Sequence, residues 1–120
     1  MSSKKTKLNI GCGGRPLKGY LNVDMDSLDQ LRKRYPDRTF SDDIKIYPWD
    51  IFNLPLEDNS VDEILCEAMI EHLSFEQEPQ FFHEIQRVLK PKGTFCFSTT
   101  NFEEIVKLWL NAKDDWKDFY

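Results

Sequence analysis

Lys7-Leu-Asn-Ile-Gly-Cys-Gly-Gly-Arg-Pro-Leu-Lys-Gly-Tyr-Leu-Asn-Val-Asp24 is the stretch that decides the fold. Leu8 and Ile10 alternate into a Gly-x-Gly turn at Gly11–Gly13, and Leu21 and Val23 alternate into a carboxylate, Asp24. Glycine tolerates positive φ and lets a ligand lie against bare backbone. A carboxylate closing the neighbouring strand can accept two hydroxyl hydrogen bonds from a ribose. The geometry favours binding of a nucleoside cofactor. A dinucleotide site fits poorly, because its fingerprint needs a third glycine three places after the second and an acid about 20 residues on. Pro16 stands at the third place, and Asp24 comes too soon after Gly13.

Outward from this stretch the order reads strand, loop, strand, helix, strand, strand, helix, strand, helix. The first strand covers Lys7–Ile10 and the second Leu21–Asp24. Leu28, Leu31 and Tyr35 share a helical face behind a Ser27 cap, and Pro36 closes that helix. Ile44–Tyr47 alternates into Trp49 as a third strand. Asp58-Asn59-Ser60 is a turn leading into a fourth strand, Val61–Cys66. Pro79 suits a first helical turn, and Phe81, Phe82, Ile85, Val88 and Leu89 fall on one face of a helix ending near Pro91 and Gly93. Thr94–Ser98 is the fifth strand, and Asn101 with Glu104 opens a last helix turning Ile105, Leu108 and Trp109 inward. Alternating strands and helices predict a mainly parallel sheet. Its right-handed crossovers gather Gly11–Gly13, Asp24, Asp50 and Glu67 at the carboxyl edge, where such sheets bind ligands.

Three further segments stand in a set order: Asp50-Ile-Phe-Asn-Leu-Pro-Leu-Glu-Asp-Asn-Ser-Val-Asp-Glu-Ile64, Ile70-Glu-His-Leu73 and Arg87-Val-Leu-Lys-Pro-Lys-Gly93. With the glycine turn they resemble the class I S-adenosylmethionine-dependent methyltransferases, chiefly the group acting on small molecules, over roughly Lys7 to Thr100. The resemblance implies a Rossmann-like α/β sheet of about five strands in the order 3-2-1-4-5, helices on both faces, and a shortened C-terminal end. It makes residues 1–120 one cofactor-binding domain with S-adenosylmethionine as cofactor. Gly11, Cys12 and Gly13 would underlie the methionine part, and Asp24 would take the ribose hydroxyls. Asp50 would accept from the adenine amino group, while Ile51 packs on the ring and donates its backbone N–H. Cys66 and Glu67 would face the methionine end, and His72 would stand near the methyl group. The chain departs from the family in two places. Gly13 to Tyr20 is too short for the usual crossover helix, and the sixth and seventh strands are missing.

Composition narrows the reading. A net charge of −5 argues against phosphate-driven affinity for nucleic acid, and 40% apolar residues suit a globular core. The basic clusters Lys4–Lys7 and Arg32–Arg34 read as solvated surface. No apolar run follows the polar Met1–Thr6, and none reaches the roughly 18 residues of a membrane span. Three cysteines without a Cys-x-x-Cys pair suit a reduced, cytoplasmic protein, with Cys66 and Cys96 as small buried hydrophobes. No metal site is expected. His83-Glu84-Ile-Gln-Arg87 lacks the second histidine of a zinc-protease motif, and His83 reads as surface or packing.

Methyl transfer from a sulfonium asks the protein mainly for alignment; a general base is needed only where the acceptor enters protonated. His72 is the candidate base, with the adjacent Glu71 able to orient it, against the plainer reading that it caps or packs under the next helix and that Glu71 is an exposed carboxylate. Cys66-Glu-Ala-Met69 lacks the Asn/Asp-Pro-Pro-Tyr stretch of the nucleic-acid amine methylases, and no Pro-Cys nucleophile is present. That leaves a small-molecule or polypeptide acceptor and no nucleic-acid or membrane partner. An open fifth-strand edge predicts a homodimer, or cover by the aromatic tail Trp116, Phe119 and Tyr120. The alternative is a non-catalytic S-adenosylmethionine-binding remnant, an interaction module, or a fragment of a longer methyltransferase.

Overall fold

Apolar alternation in short segments, interrupted by two amphipathic helical stretches, folds into a five-stranded parallel sheet. A computed structural model describes residues 4–99. Its elements are β1 (Lys7–Ile10), β2 (Leu21–Val23), α1 (Leu28–Arg34), β3 (Ile46–Tyr47), β4 (Val61–Glu67), α2 (Gln77–Val88) and β5 (Leu89–Ser98), with a 3-10 turn over Ile70–His72. The strand order is β3-β2-β1-β4-β5, and every pairing is parallel. The helix expected from Asn101, with Glu104, Ile105, Leu108 and Trp109, lies outside the described residues, as do Trp116, Phe119 and Tyr120.

Register assigns the two faces of the sheet. Leu8 pairs with Leu21 and Ile64, and Ile10 with Val23 and Cys66, so these side chains share one face. There α2 buries Phe81, Ile85 and Val88 against them. Full burial of such a side chain is worth about 1.5–3 kcal/mol, which makes this layer the main source of stability. The other face carries Asn9, Asn22 and Ile46. It is covered at one end by α1, whose Leu31 packs with Cys12 and Phe40. Helices thus flank both faces.

A reciprocal cap starts α1, and a like pair precedes α2. Gln30 N–H donates to Ser27 Oγ at 3.2 Å while Ser27 N–H donates to Gln30 Oε1 at 2.7 Å. Ser74 and Gln77 repeat the device before α2, at 3.0 and 3.1 Å. Pro79 falls in the first turn of α2, where its missing N–H costs nothing.

Four expectations are corrected. The third strand is only Ile46–Tyr47, because Ile44 N–H turns back to Ser41 O at 3.2 Å. Asp24 lies just past β2, although its N–H still donates to Tyr47 O at 3.1 Å. The second helix stops at Val88, not near Pro91: Leu89 pairs with Val61, and the register then shifts until Thr94 meets Glu63. Pro91, lacking a donor, sits inside that irregularity, where no ladder bond is owed. Cys96 is exposed, because it shares the Leu65 face, opposite to the one α2 covers.

The short β1–β2 connection is secured by two buried amides. Asn9 Nδ2 donates to Asn22 Oδ1 and to Arg15 O, both at 3.0 Å. Asn22 Oδ1 also accepts from Leu17 N–H at 2.9 Å, and its Nδ2 donates to Leu17 O at 3.1 Å. Side-chain amides thus replace backbone partners that a crossover helix would have supplied internally, so the loop lies flat on the sheet.

Candidate functional site

The carboxyl ends of β1, β2 and β3 open into a cleft of about 550 Å³ lined by Gly11, Asp24, Trp49, Asp50, Ile51 and Met69, among others. Gly11 has φ +66°, and a Cβ there would meet Met69 Cγ at 2.9 Å. Bare backbone is therefore required where the cleft passes over the turn. Trp49 stacks on Tyr47 with ring centroids 4.6 Å apart, giving the apolar wall a fixed aromatic plane.

Asp24 is held from two sides. Its Oδ2 accepts from Gly13 N–H and its Oδ1 from Asp26 N–H, each at 2.9 Å. An ionised carboxylate has about four acceptor positions, so both oxygens keep a free lone pair. Asp50 Oδ1 accepts from Phe52 N–H at 2.9 Å, and the Ile51 N–H donates to none of the described residues. Two carboxylates, a free N–H and an apolar wall around one cleft match the polar and flat parts of an adenosine.

The Asp50 loop is fixed by a pair that sequence reading passed over. Glu84, buried on α2, accepts from the backbone N–H of Leu54. Arg87 donates to both Glu84 oxygens at 2.7 and 2.8 Å, and to Leu54 O, Leu56 O and Asp58 Oδ1 at 2.8–3.0 Å. Hydrogen bonding to Arg87 holds the Glu84 carboxyl below its ordinary value, with the Leu54 N–H assisting, and Glu84 raises Arg87 in turn. The only sequence signal was a Glu and an Arg three residues apart on an amphipathic helix.

A second recess, of about 510 Å³, lies behind the glycine turn. Its wall includes Asn9, Gly11–Arg15, Tyr35, Arg38, Leu65, Glu67 and Ser98. Gly11 borders both spaces, and an ion pair between Arg15 and Glu67 at 3.2 Å crosses the second. Gly13 and Gly14 are needed for the approach of Tyr35: a Cβ on Gly13 would lie 3.2 Å from its Oη, and one on Gly14 3.0 Å from its ring.

The sequence-derived candidates are therefore divided. Gly11, Asp24, Asp50 and Ile51 line the first space, and Gly11, Cys12, Gly13 and Glu67 the second. Cys66 lines neither. Its side chain shares the Ile10 face and is sealed in the core beside α2. Burial pushes the Cys66 and Cys12 thiols up to about 12, with the Asp24 charge adding to the effect at Cys12 and that of Glu71 at Cys66. His72, the expected base, ends the 3-10 turn with its side chain exposed and borders neither space. The turn directs Met69 at the cleft instead, and Glu71 accepts from Thr99 Oγ1 at 3.1 Å. His83 is exposed, as expected. Among the described residues no cluster of three His, Cys, Asp or Glu could hold a metal, and no helix is long and apolar enough to cross a membrane.

Fold and cleft together define a nucleoside-cofactor domain of the doubly wound α/β class. Residues 8–97 match the family described as methyltransferase domain, and the chain belongs to the class I S-adenosylmethionine-dependent methyltransferases. A protein of Mycolicibacterium smegmatis named "Probable S-adenosylmethionine-dependent methyltransferase" is 37% identical over 81 residues, covering 68% of this chain and 28% of that one. The PH0226 protein of Pyrococcus horikoshii has the same fold, with a TM-score of 0.66 at 22% identity over 91% of this chain and 55% of that one. An S-adenosylmethionine-dependent methyltransferase of Mesorhizobium loti gives 0.55 at 19% identity, over 80% and 46%. The chain thus spans less than a third of the mycobacterial relative and about half of each solved structure.

Proposed function

We propose that the chain binds S-adenosylmethionine across the glycine turn and presents its methyl group to a small-molecule or polypeptide acceptor. The observation carrying this reading is the meeting of Asp24 and Asp50 with the bare backbone of Gly11 in one cleft. Asp24 takes the ribose hydroxyls on its free lone pairs, Asp50 the adenine amino group, and Ile51 N–H a ring nitrogen. Glu67, beside the Gly11–Gly13 turn, faces the methionine end. When bound, the cofactor supplies a methyl carbon whose bond to sulfur breaks as an acceptor lone pair attacks, the electron pair staying on sulfur and any acceptor proton passing to solvent. The protein's own part is alignment and exclusion of water, a contribution worth about 7–11 kcal/mol in such reactions. A base is not required of His72, whose side chain is exposed and borders neither space.

Calorimetric titration of the purified chain with S-adenosylhomocysteine is the test. Micromolar affinity (about −8 kcal/mol) that disappears in Asp24→Ala is expected; a folded chain that binds nothing would sink the proposal. A second reading is a cofactor-binding unit without turnover, which suits the exposed His72 lying away from both spaces. It predicts the same binding but no methyl transfer to any acceptor. Two companions of the proposal are a cytoplasmic setting, which suits three free cysteines, and pairing of two copies along β5, an outer strand of the sheet among the described residues.

A further inference from the structure

The recess behind the glycine turn carries donors besides the Gly11–Gly13 turn and Glu67 that the methionine end would meet. Arg38 N–H donates to Tyr35 O at 3.0 Å, a tight turn that sets the two side chains together on the recess wall. The Tyr35 hydroxyl has no hydrogen-bond partner among the described residues, and no buried side-chain polar atom there is left unsatisfied, so this hydroxyl faces the open space. Arg15 is neutralised by Glu67, whereas Arg38 has no carboxylate within ion-pair distance among the described residues. The Gly14 N–H is also free of the hydrogen bonds that its neighbours Gly13 and Arg15 make. Tyr35, Arg38 and Gly14 thus border one recess together with Asn9 and Leu65, each with a donor unused among the described residues, the chemistry that an anion site needs. Gly11 is the partition with the first cleft, so a molecule seated here lies against the same turn as the cofactor.

We propose that this recess is the acceptor subsite and that the acceptor is a small anion, its carboxylate or phosphate held by Arg38, the Tyr35 hydroxyl and the Gly14 N–H. The assignment rests on the cofactor reading above. An anionic acceptor also suits a sulfonium donor, since opposite charges approach at a gain in a partly enclosed site.

The test uses benzoate and phenyl phosphate as probes on the chain saturated with S-adenosylhomocysteine, followed by the Gly13, Gly14 and Arg38 Nε–H resonances. Saturable shifts at these three positions are expected, and the tighter probe identifies the anion. Arg38→Gln should weaken the probes about tenfold. Tyr35→Phe, which keeps the ring on the glycines, should weaken them several-fold. Both variants should keep their affinity for S-adenosylhomocysteine. Absence of saturable shifts, or probe affinity unchanged in Arg38→Gln, would overturn the proposal. So would a loss of S-adenosylhomocysteine affinity in Arg38→Gln with 5′-methylthioadenosine unaffected, because Arg38 would then hold the cofactor's own carboxylate. Failure of the wild-type chain to bind S-adenosylhomocysteine at all overturns the cofactor reading instead; the probes titrated alone still decide the recess on the same criteria.

Discussion

Single positions carry sharply different duties along the turn. Gly11 combines φ +66° with a contact that a methyl group would bring to 2.9 Å from Met69, so Gly11→Ala should cost about 1–2 kcal/mol and narrow the cleft. In Gly11→Ala/Met69→Ala the 2.9 Å contact with Cγ is removed, but the 3.2 Å contact with the Cβ of residue 69 and the backbone strain stay. Thermal melts of the four-member cycle should therefore show partial, not full, recovery. The cysteines give a second test. Cys12 and Cys66 are buried with thiols near 12, while Cys96 is exposed. Brief alkylation at pH 8 should add one label to the native chain, at Cys96, and three under denaturant. The sign of the pH effect follows from the same shift. Folding raises these two thiols from about 9, so their contribution is complete below pH 9 and drains away as pH climbs toward 12. Alkaline melts should show stability falling across that window, less steeply in Cys66→Ala.

Elements are tied to the site by polar groups that periodicity does not reveal. The Glu84–Arg87 pair joins α2 to the loop that carries Asp50, so Glu84→Ala should destabilise by about 2–3 kcal/mol and weaken cofactor binding. Arg87→Lys keeps the charge but loses the planar fork that reaches four acceptor groups. Its signature is a specificity change: S-adenosylhomocysteine should lose more affinity than its inosine analogue, because Asp50 and Ile51 are no longer held to the adenine edge. The carboxyl of Glu84, lowered by Arg87, loses its contribution as pH falls below about 4.5, so this latch opens in acid. The strands and both helices were legible because apolar spacing and a cap such as Ser27 are local signals. The end of α2 was not, since Leu89 continues the helical face in sequence and only the pairing with Val61 claims it for the sheet. The placement of Gly11, Asp24 and Asp50 at the cleft followed from motif and position. The placement of His72 and Cys66 did not, because the side a residue faces depends on the 3-10 turn and on strand register.

At the scale of the whole molecule, the helix-flanked parallel sheet places every strand end of interest at one rim, which is why four separated segments of sequence meet in two adjoining spaces. The Asn9–Asn22 pair is what allows the shortened crossing between β1 and β2. Asn22→Ala strips Leu17 of both a donor and an acceptor, and should cost about 2–3 kcal/mol as measured by urea unfolding, with the recess wall loosened as well. The flat loop has an architectural sequel. A helix in place of the short crossing would compete for the ground over Asn9 and Leu65, which stays open volume among the described residues. The fold has gained a chamber by subtraction, and splicing a helix-length insert between Gly14 and Gly19 would be expected to wall it up while the first cleft stayed open.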